Sequence, residues 1–146
     1  MRVFVTGASG HIGSAVVPEL IAAGHQVVGL ARSDASAAAL AAAGAEVRRG
    51  ELDDLDGLRA AAAAADGVIH LAFKHDLAFS GDYAGAVAAD LRAVEAIGAA
   101  LEGTGKPFVH TSGTAMLAAT TAGRVAVEGD DSGGPRGASE QAGLAL

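Results

Sequence analysis

Apolar positions along the chain fall into two repeating patterns, short continuous runs and longer segments with helical spacing. The first run, at 3–5, reads Val-Phe-Val, and a helical pattern over 12–23 follows it after a glycine-rich stretch. Apolar Ile12, Val16 and Leu20 recur on one helix face, and Gly24 stands where a C-terminal cap belongs. This opening segment therefore predicts a buried strand, a turn and a helix.

The same alternation continues along the chain. After 3–5, apolar runs predict strands at 26–31, 67–72 and 106–111, and a short, more polar strand is expected at 46–49. Helical spacing predicts helices at 12–23, 35–43, 55–65, about 84–102 and 139–146, with an irregular stretch over 73–83. Ser33 or Asp34 is expected to cap the second helix. Strands that alternate with helices predict an α/β fold, a doubly wound parallel sheet covered on both faces.

Composition narrows the class of protein. The 146 residues suffice for one core and not for two ordinary domains, so 1–146 is expected to be a single domain. About half of them are hydrophobic, largely alanine, but no run reaches the length of a membrane span, and the chain starts directly with a strand. There is no cysteine, and the net charge is −7 without a basic stripe. We therefore expect a cytoplasmic protein with neither nucleic acid nor membrane as a partner.

The turn after the first strand carries the most specific chemistry. Residues 6–13 read Thr-Gly-Ala-Ser-Gly-His-Ile-Gly, between a predicted strand and a predicted helix. Glycines permit a tight turn and a close approach of a ligand to the backbone, and the amino end of the helix favours negative charge. With further β/α units downstream, this context predicts a dinucleotide site that holds the pyrophosphate.

Four motifs follow one another at compatible distances: the glycine pattern at 6–13, Gly-His at 24–25, Gly-Glu-Leu at 50–52 and Val-Ile-His-Leu-Ala at 68–72. With these motifs the chain, from Met1 to about Leu146, resembles the extended short-chain dehydrogenase/reductases, which are NAD(P)-dependent epimerase/dehydratase enzymes. The resemblance implies a Rossmann domain with strand order 3-2-1-4-5. The cofactor-binding residues that it implies are Gly7, Ser9, Gly10, His11, Ile12 and Gly13 in the first turn, Glu51 and Leu52 beside the adenine, and Leu71, Ala72 and Phe73 beside the nicotinamide ribose.

The end of the second strand bears on the choice of cofactor. A site for NAD places a carboxylate there, on the ribose 2′-hydroxyl, whereas this chain has Arg32 and Ser33 after Ala31. An arginine can bind a 2′-phosphate through two hydrogen bonds, which favours NADP, with NAD as the second choice. In the alternative interpretation Arg32 is a solvated loop residue and Asp34 reaches the ribose.

The proton relay of the resembled family is missing. There a tyrosine, with a lysine four residues later on the same helix face, transfers the proton to or from the substrate hydroxyl. The single tyrosine of this chain, Tyr83, has no such lysine, and the segment that resembles the relay helix has Arg136 and Glu140 at the two positions. An arginine is not a proton donor, and a glutamate does not lower the pKa of a neighbouring group.

Other residues are candidates for the proton-handling role. Ser112 and Thr114 flank the position, Gly113, at which the family most often has its hydroxyl; alternatively they only cap the strand end. Lys74 is a candidate to polarise a carbonyl and His75 to carry a proton, unless both belong to a plain solvated loop.

The remaining histidines favour a structural interpretation. His70 lies within an apolar strand, and His25 and His110 are likewise expected to be satisfied core residues. No set of His, Asp and Glu residues has the spacing of metal ligands, so the sequence predicts no metal.

The C-terminal part departs from the resembled family in length. The acidic, Gly/Ser-rich run 128–137 predicts a mobile loop, and the family normally continues with further strands and a substrate-binding region. A sheet that ends at the fifth strand has an exposed edge, so we expect a longer natural protein, a partner chain or a homo-oligomer paired through 84–102 and 139–146.

Two functional classes remain open. The first is an NADP-dependent oxidoreductase or epimerase/dehydratase-like enzyme acting on a small hydroxyl or carbonyl substrate. The second is a dinucleotide-binding sensor, regulatory subunit or fragment without turnover, which the replaced relay residues favour.

Overall fold

The structure, a computed structural model, describes residues 1–114, 117–130 and 133–146. The strands are β1 (Arg2–Thr6), β2 (Gln26–Ala31), β3 (Glu46–Arg49), β4 (Gly67–His70) and β5 (Phe108–His110). The helices are α1 (Gly13–Ala22), α2 (Asp34–Ala42), α3 (Leu55–Ala64), α4 (His75–Phe79), α5 (Tyr83–Leu101), α6 (Leu117–Thr120) and α7 (Gly137–Leu144).

The five strands form one parallel sheet in the order β3-β2-β1-β4-β5, which confirms the predicted Rossmann order. The central strand β1 pairs with β2 on one side and with β4 on the other, so that Val5 lies opposite both Gly29 and Ile69. The chain reverses its direction of winding after β3, and the carboxyl ends of β1 and β4 therefore meet where a doubly wound sheet binds its ligand.

Side chains that alternate along β1 supply two separate cores. Val3 and Val5 pack with Val17 of α1 and Leu40 of α2 on one face of the sheet. Phe4, which is fully buried, belongs to the core on the other face, which α3 and α5 cover. Strands buried on both faces read as the continuous apolar runs that were visible in the sequence.

Local capping explains where the helices begin. The side chains of Ser33, Asp54 and Asp82 each accept a hydrogen bond from the backbone amide three residues later, at 3.1, 3.0 and 2.8 Å. Of the two caps proposed for α2, the structure selects Ser33. Gly24 and Gly44 follow α1 and α2 with φ of 84° and 85°, the conformation in which helices commonly end.

Three predicted boundaries were wrong. The stretch 73–83, predicted to be irregular, contains α4 and the first residue of α5. The strand predicted at 67–72 ends at His70, because its partner β1 ends at Thr6 and has no further residue with which it could pair. The strand predicted at 106–111 is likewise shortened, to β5.

The predicted loop at 128–137 is described only in part, because Asp131 and Ser132 lie outside the described residues. Just before them, Arg124 pairs with the carboxylate of Asp130, which also accepts the backbone amide of Val127 at 2.8 Å. These bonds form a local turn. The mobility of the loop stays a prediction.

β5 forms one edge of the sheet, and its Val109 is 53% exposed. The two helices proposed to pair copies of the chain also contact each other: α5 packs against α3 and α7, and Leu146 lies against Gly98. Oligomerisation and a covering partner chain stay predictions. Within the described ranges, no helix is long and apolar enough to cross a membrane.

Candidate functional site

The turn between β1 and α1 requires glycine for steric reasons. Gly7 has a φ of 66°, and a Cβ atom there would lie 2.7 Å from the amide nitrogen of Ala72 and 2.8 Å from the carbonyl carbon of Leu71. A Cβ atom on Gly13 would lie 2.2 Å from the carbonyl oxygen of Gly7. The turn is therefore folded so closely on itself and on the end of β4 that side chains are excluded at both positions.

Gly10 differs from these two glycines. A Cβ atom there would meet only the Gly7 carbonyl oxygen, at 3.2 Å, and Gly10 forms part of the wall of a cavity. The amide of Gly10 donates to that same oxygen at 2.9 Å, which closes the turn. The missing side chain at this position leaves the backbone open to a ligand.

The amino end of α1 lacks a protein anion. Its N-cap residue is Ile12, which forms no side-chain cap hydrogen bond, and the first turn of the helix contains no acidic residue. The amide of Ser14 already donates to the Gly10 carbonyl oxygen at 2.9 Å and that of Ala15 to the Ile12 carbonyl oxygen at 3.0 Å, but the helix dipole still favours negative charge at this end. This end of the helix is therefore suited to bind a phosphate.

A cavity of about 840 Å³ lies over this turn and along the carboxyl ends of β1, β2 and β4. Its wall includes most of the cofactor-binding residues proposed from the sequence, namely Gly7, Ser9, Gly10, His11, Ile12, Gly13, Arg32, Glu51, Leu52, Leu71, Ala72 and Phe73. The structure places Ser33 elsewhere, at the cap of α2. It adds Ser36 and a segment from Lys74 to Leu77, which includes the start of α4.

Arg32 extends across the mouth of this cavity from the end of β2. Its guanidinium donates to the carboxylate of Asp76 at 3.0 Å, and this hydrogen bond holds the pKa of Asp76 below its usual value. Asp34, the alternative ribose ligand, instead pairs with Arg49 at 2.8 Å and is not part of the wall. The cation of Arg32 is thus positioned at the cavity, and the carboxylate of Asp34 is not.

The opposite wall of the cavity continues from β4. Leu71, Ala72 and Phe73 line it, and the amide of Ala72 donates to the hydroxyl of Thr6 at 3.3 Å. The guanidinium carbon of Arg136 lies 4.5 Å from the centre of the Phe73 ring, so the two side chains form a cation–π contact. One side of the cleft is therefore connected to the segment that carries Arg136.

The three proposed catalytic residues are not brought together. Lys74 lines the cavity, where its ammonium contacts the carboxylate of Asp53. The hydroxyl of Ser112 is buried and has no hydrogen-bond partner within the part of the chain that the structure describes. Thr114 is exposed and is not part of the wall. Of the three, Lys74 has direct access to the cleft.

A buried polar cluster, formed by His70, Asp90, His110, Arg136 and Ser139, lies behind Phe73. Asp90 on α5 is fully buried, and Arg136 donates to its two carboxylate oxygens at 3.3–3.4 Å and to the carbonyl of Thr111 at 2.9 Å. The Nε2 atoms of the two histidines lie 3.4 and 3.9 Å from the same carboxylate. Arg136, which the sequence resemblance aligns with the relay tyrosine, is thus engaged in a buried ion pair.

Burial and neighbouring charged groups shift the pKa values of Asp90 and His110 in this cluster. Burial by itself would raise the pKa of Asp90, but the neighbouring His70 and the charge of Arg136 hold it below the usual value. Burial lowers the pKa of His110, and the neighbouring His70 adds to this effect. At neutral pH the cluster therefore contains an ionised Asp90 and a neutral His110.

The sequence analysis did not identify Asp90. Its prediction that the remaining histidines are satisfied core residues was only partly right. Asp90 shares one face of α5 with Ala86, Val94 and Ile97, so an acidic residue within an apolar stripe was the available signal. His70 is buried as expected, but its Nε2, like that of His110, has no hydrogen-bond partner among the residues described. His25 is not a core residue; it is half-buried beside the amino terminus of Met1.

Comparisons with known proteins bear on both the fold and the cleft. The profile of the NAD dependent epimerase/dehydratase family matches residues 3–138. An uncharacterized protein of Schizosaccharomyces pombe is 52% identical over 117 residues, which is 80% of this chain and 39% of that protein. Another, from Saccharomyces cerevisiae, is 48% identical over 119 residues, with the same coverage. The chain therefore spans about two fifths of the length of these curated relatives.

Solved structures share the fold at lower identity. A short-chain dehydrogenase/reductase superfamily protein of Agrobacterium tumefaciens, with bound NAD, has a TM-score of 0.73 and 24% identity over 99% of this chain and 43% of that one. The triphenylmethane reductase of Citrobacter sp., complexed with NADP(H), has a TM-score of 0.68 and 22% identity over 98% and 45%. At these identities the similarity shows a shared fold and no more.

Proposed function

The chain belongs to the NAD-dependent epimerase/dehydratase family, and on this premise we propose that its cleft binds NADP in preference to NAD. The observation that carries the proposal is the β1–α1 turn, where Gly7 and Gly13 exclude side chains and the uncapped end of α1 faces the cavity. The diphosphate of the cofactor binds to the main-chain amides of this turn.

The preference for NADP depends on Arg32. Its guanidinium lies on the cavity wall, β2 ends in Ala31 without a carboxylate, and Asp34, which pairs with Arg49, is not part of that wall. Arg32 and Asp76 form an ion pair in which each side chain is more than half exposed. Such a pair is worth about 0–1 kcal/mol, so a 2′-phosphate dianion displaces Asp76 at little cost.

We predict that Arg32→Ala weakens NADPH binding about 10- to 100-fold, because hydrogen bonds to a charged group are worth about 1.5–3 kcal/mol. NADH has no 2′-phosphate, so its dissociation constant is expected to change less than about twofold. Isothermal titration calorimetry of the wild type and the variant with both cofactors measures these effects.

The matched control is Arg59→Ala, which removes an exposed arginine of α3 that pairs with Asp56 and lies away from the cavity. It should leave both dissociation constants unchanged. Equal losses for the two cofactors in Arg32→Ala would contradict a contact with the 2′-phosphate. Absence of binding of either nucleotide to the folded wild type would overturn the site itself.

For the reaction, we propose oxidation or reduction at a carbon that carries a small hydroxyl or carbonyl group. Bound NADP would supply or accept the hydride. Leu71, Ala72 and Phe73 would then lie beside its nicotinamide ribose, and Lys74, whose ammonium contacts Asp53, would polarise the carbonyl oxygen. Ser112 and Thr114, near the end of β5, are the further candidates to hold or move a proton at that oxygen.

We predict that Lys74→Met lowers kcat by about 100-fold, since acid–base or electrophilic assistance of this kind typically contributes a factor of about 10²–10⁴. NADPH consumption with a panel of ketones and aldehydes, followed at 340 nm on the wild type first, provides the assay. Lys106→Met is the control, because its ammonium donates to the carbonyl of Ala63 away from the cleft. Unchanged kcat in Lys74→Met would exclude this role.

The second candidate function is dinucleotide binding without turnover, in a sensor or regulatory subunit. The ion pair between Arg136 and Asp90 favours it, because the relay position is occupied by a group that cannot donate its proton. Under this interpretation the wild type binds NADPH but consumes none with any member of the panel.

A further inference from the structure

We propose that His70, Asp90 and His110 form a binding site for a divalent transition-metal ion of the zinc class. The site would connect β4, α5 and β5 on the side of Phe73 away from the cavity. It is independent of the proposed cofactor, because none of its three residues lines the cleft. The sequence predicted no such site, since its ligands are spaced by twenty residues along the chain, far outside any local metal motif.

The spacing of the donor atoms fits a small cation. The three ligand atoms all lie within 4.8 Å of one another. The Nε2 atom of His70 is 3.4 Å from one oxygen of Asp90, and that of His110 is 3.9 Å from the other. Zinc binds nitrogen and oxygen at about 2.0–2.2 Å, which in a tetrahedron places its ligands roughly 3.3–3.6 Å apart. The widest of these separations must therefore shorten by about 1 Å for all three atoms to bind one zinc ion.

The cluster also contains polar atoms with unmet hydrogen-bonding capacity. In the described part of the chain, the Nε2 atoms of His70 and His110 and the hydroxyl of Ser139 are buried without a hydrogen-bond partner. His70 is 1% exposed and Ser139 is fully buried. Buried polar atoms in folded proteins are nearly always paired with protein, water or an ion. Two imidazoles and a carboxylate are ligands that zinc prefers.

His70 is oriented by a second contact. Its Nδ1 lies 2.7 Å from the hydroxyl oxygen of Thr6, which also accepts the amide of Ala72. When Nδ1 carries the proton and donates to Thr6, the lone pair of Nε2 is directed toward Asp90. A hydrogen bond of this kind on the far ring nitrogen is the usual support of a metal-binding histidine.

The positive charge of Arg136 disfavours a cation bound to Asp90, but the long hydrogen bonds between the two side chains make this effect smaller. Its bonds to Asp90 measure 3.3–3.4 Å, longer than the roughly 2.7–2.9 Å of strong charge-assisted bonds. Its shorter bond is to the carbonyl of Thr111, and its guanidinium carbon lies 4.5 Å from the centre of the Phe73 ring. Arg136 can therefore remain as an outer partner of a metal-bound carboxylate, at a cost in affinity through charge repulsion.

The test is a titration of the chain with Zn²⁺ and, separately, with Co²⁺, after treatment with a chelator. We expect one ion per chain and, for Co²⁺, the visible absorption bands of a tetrahedral site. His110→Gln should weaken binding by more than about 100-fold, since loss of even an outer-shell partner costs about 10- to 100-fold. His25→Gln, at the half-buried histidine beside Met1, is the matched control and should retain full affinity.

The Zn²⁺ affinity of Arg136→Gln distinguishes a metal site from a cluster with a purely structural role. Removing the cation beside Asp90 should tighten Zn²⁺ binding by about tenfold or more. Circular dichroism identifies any variant that fails to fold, and His70→Gln then replaces His110→Gln. The proposal is overturned if the wild type binds no ion, if the histidine variant of the cluster binds as tightly as the wild type, or if Arg136→Gln has no effect on affinity.

Discussion

Gly13→Ala is expected to abolish NADPH binding and to lower the free energy of unfolding by about 3 kcal/mol, at the upper end of overpacking costs. The added Cβ atom would lie 2.2 Å from the Gly7 carbonyl oxygen and 2.5 Å from that of Ala8. These atoms are backbone, so relief requires the turn itself to open, and the amides of α1 then lose the position in which they would bind phosphate. Fluorescence titration with NADPH and thermal unfolding measure the two effects.

For a domain of this size, about 3 kcal/mol corresponds to a fall in Tm of roughly 6–12 °C. Gly129→Ala is the control, because a Cβ atom there meets nothing within 4 Å. It should leave the Tm and the NADPH affinity as they are in the wild type. A Gly13→Ala protein with wild-type Tm and wild-type affinity would show that this close approach is not part of the native turn.

Asp90→Asn is expected to lower the free energy of unfolding by about 3–5 kcal/mol, because it leaves the charge of Arg136 buried without its partner. Asp90 is fully buried, and the side chain of Arg136 is only 12% exposed. The substitution keeps the shape of the side chain, so the loss reports on charge and not on packing. Urea unfolding in the presence of a chelator measures it without a contribution from bound metal.

Asp56→Asn provides the comparison, since it removes the acidic partner of an exposed pair with Arg59, 2.8 Å apart. Exposed pairs contribute about 0–1 kcal/mol, so its stability should be close to that of the wild type. A similarly small effect in Asp90→Asn would mean that Arg136 finds another partner or leaves the interior. The double variant Asp90→Leu/Arg136→Met, which removes both charges, should recover much of the stability.

The sheet and its order could be predicted because they depend on features that are local in sequence. Apolar runs identified the strands other than the more polar β3, and glycine or polar capping residues such as Gly24 and Asp54 identified the ends of helices. Boundaries were less accurate where the tertiary structure decides them. The strand at 67–72 ends at His70 only because its neighbour ends at Thr6, and periodicity within one segment contains no information about its neighbour.

The cleft was predictable for a similar reason. The resemblance identified the residues of the first turn, which adjoin one another in sequence, and the structure places them around one cavity. Asp90, His110 and Arg136 come together only through the folding of α5, β5 and α7 on one another. The helix α4 and the contact of Arg32 with Asp76 likewise depend on how segments more than forty residues apart meet.

The side chain of Phe73 has neighbours in both the cleft and the buried polar cluster. It forms part of the wall of the cleft, and it supports the guanidinium of Arg136, which joins α5 to the segment that starts α7. Phe73 is therefore a single aromatic side chain shared by the cleft and by the contact that links α5 to the C-terminal helix.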